Sequence, residues 1–310
     1  MQGRTIRVAA VQAAPVFLDL GGSVDKAVRL IGEAAGRGAR VVGFGETWIP
    51  GYPAWLDLCP GAAVWDHPPA KRAYARLLEN SVVIPGPETE RLAEAARQHE
   101  TVVVMGVHER VRPGPGHGTL YNTQIVFGGD GSILNRHRKL VPTHAERLVW
   151  GQGDGTGLEA VATPWGRVGT LICWEHWMPL ARQVVHESAE EIHVAAWPAV
   201  PEMYQVASRH YAFEGRCFVL AVGQIIAARD LPRDLEPPPH LKGKPEALLY
   251  NGGSCIIAPD GSLLAGPVFD REEILIADLD LGRIAEESMA LDVTGHYNRP
   301  DLFEFRLRRR

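Results

Sequence analysis

The sequence predicts an α/β fold, and three observations carry the prediction. Short apolar runs of strand length recur through the chain, segments of helical period lie between them, and glycines, prolines or capping residues mark the joins. Residues 7–12 read as the first strand. Ser23 then caps a helix on which Val24, Ala27, Val28, Ile31, Ala34 and Ala35 recur at helical spacing, and Gly36 and Gly38 end it before a strand at 40–45. These make one βαβ unit. A helix at 88–99 leads into a strand at 101–107, and a hairpin over 123–134 turns at Gly128-Gly129-Asp130-Gly131. Residues 168–172 form a short buried strand, and Pro179 suits the first turn of a helix at 179–188 whose Leu180, Val184 and Val185 share a face. Strands follow at 192–196, 217–226, 254–259 and 274–278, with a helix at 202–215 between the first two. The loops at 113–118 and 231–245, the latter built on Pro237-Pro238-Pro239, read as a flexible rim or a subunit contact. No shift in composition marks a boundary, so a single domain over 1–310 is expected, with a core of about 5–282 and a tail of about 283–310.

With 310 residues, 45% of them hydrophobic and 22% charged, the chain has ordinary globular usage, which excludes a disordered class. A net charge of −5 offers no footprint for nucleic acid, and Arg306, Arg308, Arg309 and Arg310 are too few to reverse that. They read as a solvated end. Four cysteines are too sparse for a disulfide framework, so a reducing cytoplasm is the expected location. Gln12 and Pro15 interrupt the first apolar patch too soon for a signal segment, and no stretch approaches a membrane span. No membrane partner is expected.

Cys173 is the most informative residue. It stands where the apolar run Gly169-Thr170-Leu171-Ile172 meets the polar, aromatic Trp174-Glu175-His176-Trp177, so it falls on a strand-to-helix turn, where α/β folds collect ligands. A free cysteine is more often a small core residue, and that reading stands beside the first until partners are found. Glu46 occupies an equivalent position, closing the run Val41-Val42-Gly43-Phe44-Gly45, where burial would raise its pKa and suit it to act as a base near neutrality. Alone it would pass for a solvated strand end. His137-Arg138-Lys139 follows the hairpin; a basic triplet is usually a solvated face, but a buried ammonium could lower the pKa of a thiol and stabilise developing charge. Cysteine, glutamate and lysine together make a nucleophile, a base and an electrostatic stabiliser.

Competing chemistries are poorly supported. The twelve histidines lack zinc-site spacing, and there is no Gly-x-Ser-x-Gly elbow and no dinucleotide or phosphate-binding glycine loop. Neither a metal nor any other cofactor is expected. His108-Glu109, at another strand end, reads chiefly as hydrogen-bonding structure.

Four blocks resemble the nitrilase family, the carbon-nitrogen hydrolases with a Glu-Lys-Cys triad. They are Phe44-Gly45-Glu46-Thr47-Trp48-Ile49-Pro50-Gly51-Tyr52-Pro53, His137-Arg138-Lys139-Leu140-Val141-Pro142-Thr143, Cys173-Trp174-Glu175-His176 and Gly295-His296-Tyr297-Asn298-Arg299-Pro300-Asp301. Their order and spacing cover nearly the whole chain. The resemblance implies that Cys173 is the nucleophile, Glu46 the general base and Lys139 the stabiliser of the tetrahedral intermediate, with Glu146 as a second glutamate in the site. It implies an α-β-β-α sandwich whose four layers form when two subunits pack helix to helix, self-association as a dimer or larger homo-oligomer, and a small-molecule nitrile as substrate. Trp174 after the nucleophile looks like the nitrile-hydrolysing branch, with amidase, carbamoylase and cyanide-hydrolysing relatives as alternatives. Trp48, Tyr52, Trp174 and Trp197 are candidates for the substrate wall, each equally able to be core. Two departures stand out. Gly45 replaces the more usual proline, which would loosen the turn, and the sequence ends soon after the 295–301 block, where many relatives carry a longer tail that helps build spirals.

Overall fold

The computed structural model describes residues 4–112 and 114–308, so Pro113 of the first proline-rich loop and Arg309 and Arg310 of the arginine tail lie outside the described residues. In chain order the elements are β1 (Thr5–Gln12), α1 (Leu20–Gly36), β2 (Val41–Phe44), α2 (Trp55–Leu58), α3 (Pro68–Glu79), α4 (Pro87–Gln98), β3 (Val102–Arg110), β4 (Leu120–Phe127) and β5 (Ile133–Arg138). Then come β6 (Val161–Thr163), β7 (Gly166–Ile172), α5 (Pro179–Glu187), β8 (Ile192–Ala196), α6 (Glu202–Gly215), β9 (Phe218–Val222), β10 (Ile225–Ala227), β11 (Leu248–Ile257), β12 (Leu263–Phe269), β13 (Glu273–Asp280) and α7 (Gly282–Ser288).

Two mixed sheets result. One has six strands in the order β13-β1-β2-β3-β4-β5, and the other has seven, with β10-β11-β9-β8-β7-β6 in line and β12 beside β11. The central strands are apolar on both faces because both are covered. In β1, Val8 and Ala10 pack between the sheets against Val194, Leu220 and Val222, while Ala9 and Val11 turn to Val24, Ile31, Leu92 and Ala96 of α1 and α4. On the second sheet Leu171, Ala195 and Val219 face Ala181, Val185, Ala207 and Ala212 of α5 and α6. The layers therefore run α-β-β-α within one chain, which corrects the expectation that two subunits are needed to form them.

Several boundaries move for local reasons. Asp19, not Ser23, caps α1: its carboxylate accepts the Gly22 N–H at 2.9 Å, and Ser23 sits a turn further in, its hydroxyl bonded to Val16 O at 2.8 Å. The strand expected at 217–226 breaks in two because Gly223 N donates to Ser254 Oγ at 2.9 Å and Gln224 turns its amide to Glu46 O at 2.5 Å. On α5, Val184 and Val185 are buried but Leu180 is 66% exposed, so the three do not share a face. The helices α2, α3 and α7 and the edge strands β6 and β12 were not anticipated; α2 and α7 are too short to show a period, whereas α3 does carry one, with Ala73 and Leu77 buried four residues apart.

Candidate active site

The two sheets pinch together where β2 and β8 end. A Cβ on Gly45 would lie 2.9 Å from Trp197 O, and one on Gly106 would lie 2.1 Å from Gly45 O, so these glycines permit a backbone approach that no side chain allows. Glu46 N donates to Trp197 O at 3.1 Å. Gly45 is thus tightly packed, contrary to the expectation of a loosened turn. The pinch carries the Glu46 carboxylate from the first sheet onto the ends of the second, where Cys173 follows β7.

Lys139 follows β5, and its backbone N–H continues that strand's ladder to Asn122 O at 2.8 Å. Its ammonium donates to Glu46 Oε1 and to Glu146 Oε2, both at 2.7 Å. Glu146 lies on a single 3₁₀ turn, His144–Leu148, and accepts two further bonds, from Thr143 N at 2.6 Å and from the Tyr52 hydroxyl at 2.8 Å. Asn122 Nδ2 donates to Glu46 Oε1 at 2.6 Å, which leaves Glu46 Oε2 buried without a hydrogen-bond partner. The Cys173 thiol completes the group: its sulfur and one carboxylate oxygen from each of Glu46 and Glu146 lie within 4.8 Å of one another.

Cys173 itself has φ of 52°, in the left-handed region that side chains avoid at a cost of about 1–2 kcal/mol. The 3₁₀ turn Cys173–Trp177 holds it there. Glu175 anchors that turn: buried, it accepts from Ile172 N at 2.7 Å, Leu140 N at 2.8 Å and His137 Nε2 at 2.8 Å, tying the cysteine turn to the lysine loop. Burial raises the Glu175 pKa, but His137 and the two N–H donors more than offset it and leave it below the usual range. The sequence reading gave neither Glu175 nor Asn122 a role. Glu175 bonds back to the Ile172 N–H as the acid of a capping box would, but isoleucine has no side-chain acceptor to complete the pattern, so neither Glu175 nor Asn122 carries a sequence signal.

The electrostatics follow from burial. Glu46 is raised to about 7, chiefly because burial penalises its charge, with Glu146 adding to the rise and Lys139 opposing it. Burial and the charge of Glu46 push the Cys173 thiol well above its ordinary value, against the pull of Lys139. Burial alone would lower Lys139, yet Glu46, Cys173 and Glu146 hold it above the usual lysine value. Glu46, Glu146 and Cys173 are the only trio of metal-ligating type among the described residues, but the Lys139 ammonium bonded to both carboxylates already fills the place of a cation.

The group opens on a cavity of about 400 Å³ lined by Tyr52, Glu146, Cys173, Trp174, Tyr204 and Tyr250 among others. Trp174 is half-exposed and donates its indole N–H to the Tyr204 hydroxyl at 2.9 Å. Trp48 and Trp197, expected as possible wall residues, are core instead. The indole of Trp48 donates to Ala13 O at 2.8 Å, and that of Trp197 to Ser208 Oγ at 3.1 Å, each fully buried. Large aromatic side chains with a partner for their N–H stay in the interior. Tyr204 and Tyr250 take their place in the wall, and nothing in their sequence setting singled them out. His108 is structural: it meets Gly51 O at 3.0 Å and accepts the Trp150 indole N–H at 3.0 Å. Glu109 bonds Thr123, Arg136 and Arg138.

Comparison with known proteins identifies the family. The family model described as carbon-nitrogen hydrolase matches residues 7–287. An aliphatic nitrilase of Sinorhizobium fredii is 41% identical over 300 residues, covering 96% of this chain and 94% of that protein. A bifunctional nitrilase/nitrile hydratase of Lupinus angustifolius is 40% identical, covering 96% of this chain and 84% of that protein. Among solved structures, a carbon-nitrogen hydrolase of Helicobacter pylori superposes with a TM-score of 0.72 at 20% identity, covering 96% of this chain and 97% of that one, which shows the shared fold. With the family matched over most of its length and relatives near 40% identity, the chain belongs to the carbon-nitrogen hydrolases, as a nitrilase of that superfamily.

Proposed function

We propose that the protein converts an organic nitrile to the carboxylic acid and ammonia through a covalent intermediate on Cys173. The observation that carries the reading is the Lys139 ammonium held at 2.7 Å by both Glu46 and Glu146, with the Cys173 sulfur beside the two carboxylates. Glu46 takes the thiol proton, the thiolate attacks the nitrile carbon, and Glu46 passes that proton to the nitrile nitrogen, giving a thioimidate and restoring the carboxylate. Glu46 then deprotonates a water that adds to the same carbon. Lys139 faces the charge that develops there. Departure of ammonia leaves a thioester, and a second water releases the acid and restores the thiol. Loss of the thiolate from the tetrahedral species would instead release the amide, and a shift of about 1.4 kcal/mol between the two routes changes the ratio about tenfold. A cavity of about 400 Å³ is within the size range of organic-ligand pockets and far exceeds what cyanide needs.

The test is a panel of phenylacetonitrile, benzonitrile and a short aliphatic dinitrile with their matching amides, read by ammonia release. Acid and ammonia from at least one nitrile, faster than from any amide, is the expected result. Faster release from the amides than from every nitrile would make this an amidase.

The acid limb of the pH profile is a second expectation. With its pKa raised to about 7, Glu46 is protonated below neutrality and cannot take the thiol proton, so kcat/KM should rise through an apparent pKa near 7. A profile flat from pH 5 to 8 would show that Glu46 is not the base.

Assembly and location belong to the same proposal. Leu180 on α5 and Met203, Val206 and Phe213 on α6 are exposed beside the charged or polar Glu187, Arg209 and His210, a mixed surface that would serve to pair two copies. Light scattering at micromolar concentration should give at least a dimer, and a fully active monomer would contradict the pairing. The four cysteines are buried as free thiols, which fits a cytoplasmic enzyme, and no described helix is long and apolar enough to cross a membrane. No nucleic-acid partner is proposed.

A further inference from the structure

Beneath the cysteine turn lies a chain of buried titratable groups that the chemistry above does not use. His176 Nδ1 lies 2.7 Å from the Cys173 carbonyl oxygen, and its Nε2 lies 3.0 Å from His193 Nε2. His193 Nδ1 is in turn 2.8 Å from Glu190 Oε2. Glu190 Oε1 accepts from the Tyr211 hydroxyl at 2.5 Å and from His186 Nδ1 at 2.9 Å. His186 and Glu190, with Glu214, reach a second cavity of about 410 Å³ that shares no lining residue with the first. The backbone makes room for this chain: a Cβ on Gly169 would lie 2.3 Å from Glu190 Oε2, and one on Gly215 would lie 2.3 Å from the His186 ring. His176 is also fixed in plane, stacked on Trp197 with ring centroids 4.7 Å apart.

Counting protons along the chain gives its charge. A carbonyl oxygen only accepts, so His176 Nδ1 carries a proton. Burial pushes Glu190 up, but His193 and His186 outweigh it and hold the carboxylate ionised, so His193 Nδ1 carries a proton as well. The contact between the two Nε2 atoms requires one more. Three protons on two imidazoles make one positive charge facing Glu190, a carboxylate shared with His186, which, against burial, Glu190 and Glu214 hold at a pKa of about 9. Burial above all, then His193 and Arg182, whose guanidinium donates to His176 O at 3.0 Å, push the His176 pKa well below its ordinary value, while the Cys173 carbonyl and Glu190 oppose them.

We propose that His176 is a positioning residue for the nucleophile: a proton-sharing His176–His193 pair, held by Glu190, grips the Cys173 carbonyl and keeps that residue in its left-handed conformation. The effect acts through the backbone, since His176 does not line the substrate cavity. The proposal rests on Cys173 being the nucleophile, but its signature can be read without turnover. Long-range ¹H–¹⁵N correlation spectra of enzyme labelled at histidine nitrogen, assigned with His176→Asn and His193→Gln, should show His176 protonated at Nδ1 and the pair sharing a third proton at pH 7.5. A neutral His193, or a His176 protonated only at Nε2, would overturn the proposal while leaving the role of Cys173 intact.

The kinetic arm separates positioning from general stability. A small misplacement of a reacting group costs up to about 10²-fold, so His176→Ala should lower kcat about 10- to 100-fold with KM changed less than about threefold, and slow iodoacetamide alkylation of Cys173 in parallel. Asparagine keeps an N–H for the carbonyl, so His176→Asn should recover much of that loss. Wild-type kcat in His176→Ala, or an asparagine variant no better than alanine, would defeat it. The spectra of the native enzyme decide the matter if the alanine variant does not fold.

Discussion

Cys173→Ala is expected to abolish nitrile turnover, with a fall of at least about 10⁴-fold in kcat, the scale of loss when a nucleophile is removed from a concerted set. The fold should survive. Alanine keeps the Cβ and so suits the same backbone, and the buried sulfur contributes roughly what a methylene does, about 1 kcal/mol. No other thiol can substitute: Cys59, Cys217 and Cys255 are buried and none lines the substrate cavity. Thermal unfolding and circular dichroism alongside the ammonia assay check both halves of the expectation. A soluble variant with native-like unfolding and undiminished turnover would remove Cys173 from the mechanism.

Loss of the Lys139 charge should be nearly as severe and should also cost stability. A preorganised donor aimed at developing charge is worth about 10²- to 10³-fold in rate. Lys139→Ala also leaves Glu46 and Glu146 buried without their shared cation, and breaking a buried pair in this way costs about 3–5 kcal/mol. Glu46→Gln differs, because Lys139 keeps Glu146 and the amide is neutral; general base catalysis is worth about 10²- to 10⁴-fold, so rate should fall with little loss of stability. The sign of the linkage supports this. A carboxyl whose pKa is raised on folding opposes the fold once it ionises, so removing its charge relieves that penalty above about pH 4.5. The double variant should be no slower than the worse single one, since the groups act as a unit. A loss of tenfold or less in Glu46→Gln would pass the role of base to Glu146, which bonds the same ammonium.

How much of this was legible in the chain depends on the range over which each feature is encoded. The strands at 192–196 and 7–12 and the helix at 202–215 follow from local period, and the structure places them within a residue or two; the hairpin turns at Gly128–Gly131 as its turn chemistry dictates, but its strands extend three and four residues beyond the expected 123–134. Glu46, Lys139 and Cys173 stood out because each closes a strand, and the matching blocks around them supplied an order. The structure brings all three together with Glu146.

What the chain did not disclose is where side chains from distant segments meet. Trp48 and Trp197 share the aromatic character of Trp174, yet two are core and one is wall, because only the pinch of Gly45 against Trp197 O decides which faces are covered. Tyr250 reaches the cavity from a strand about two hundred residues beyond Tyr52, and Asn122 on β4 reaches Glu46 at the end of β2 past the intervening β3. That all four layers belong to a single chain is likewise a fact of packing. Period and capping act over a turn or a strand and are written in neighbouring residues. The raised pKa of Glu46, the ion-paired Lys139 and the proton count of the histidine chain arise from desolvation and contact between segments far apart in sequence, and these exist only once the two sheets have closed on one another.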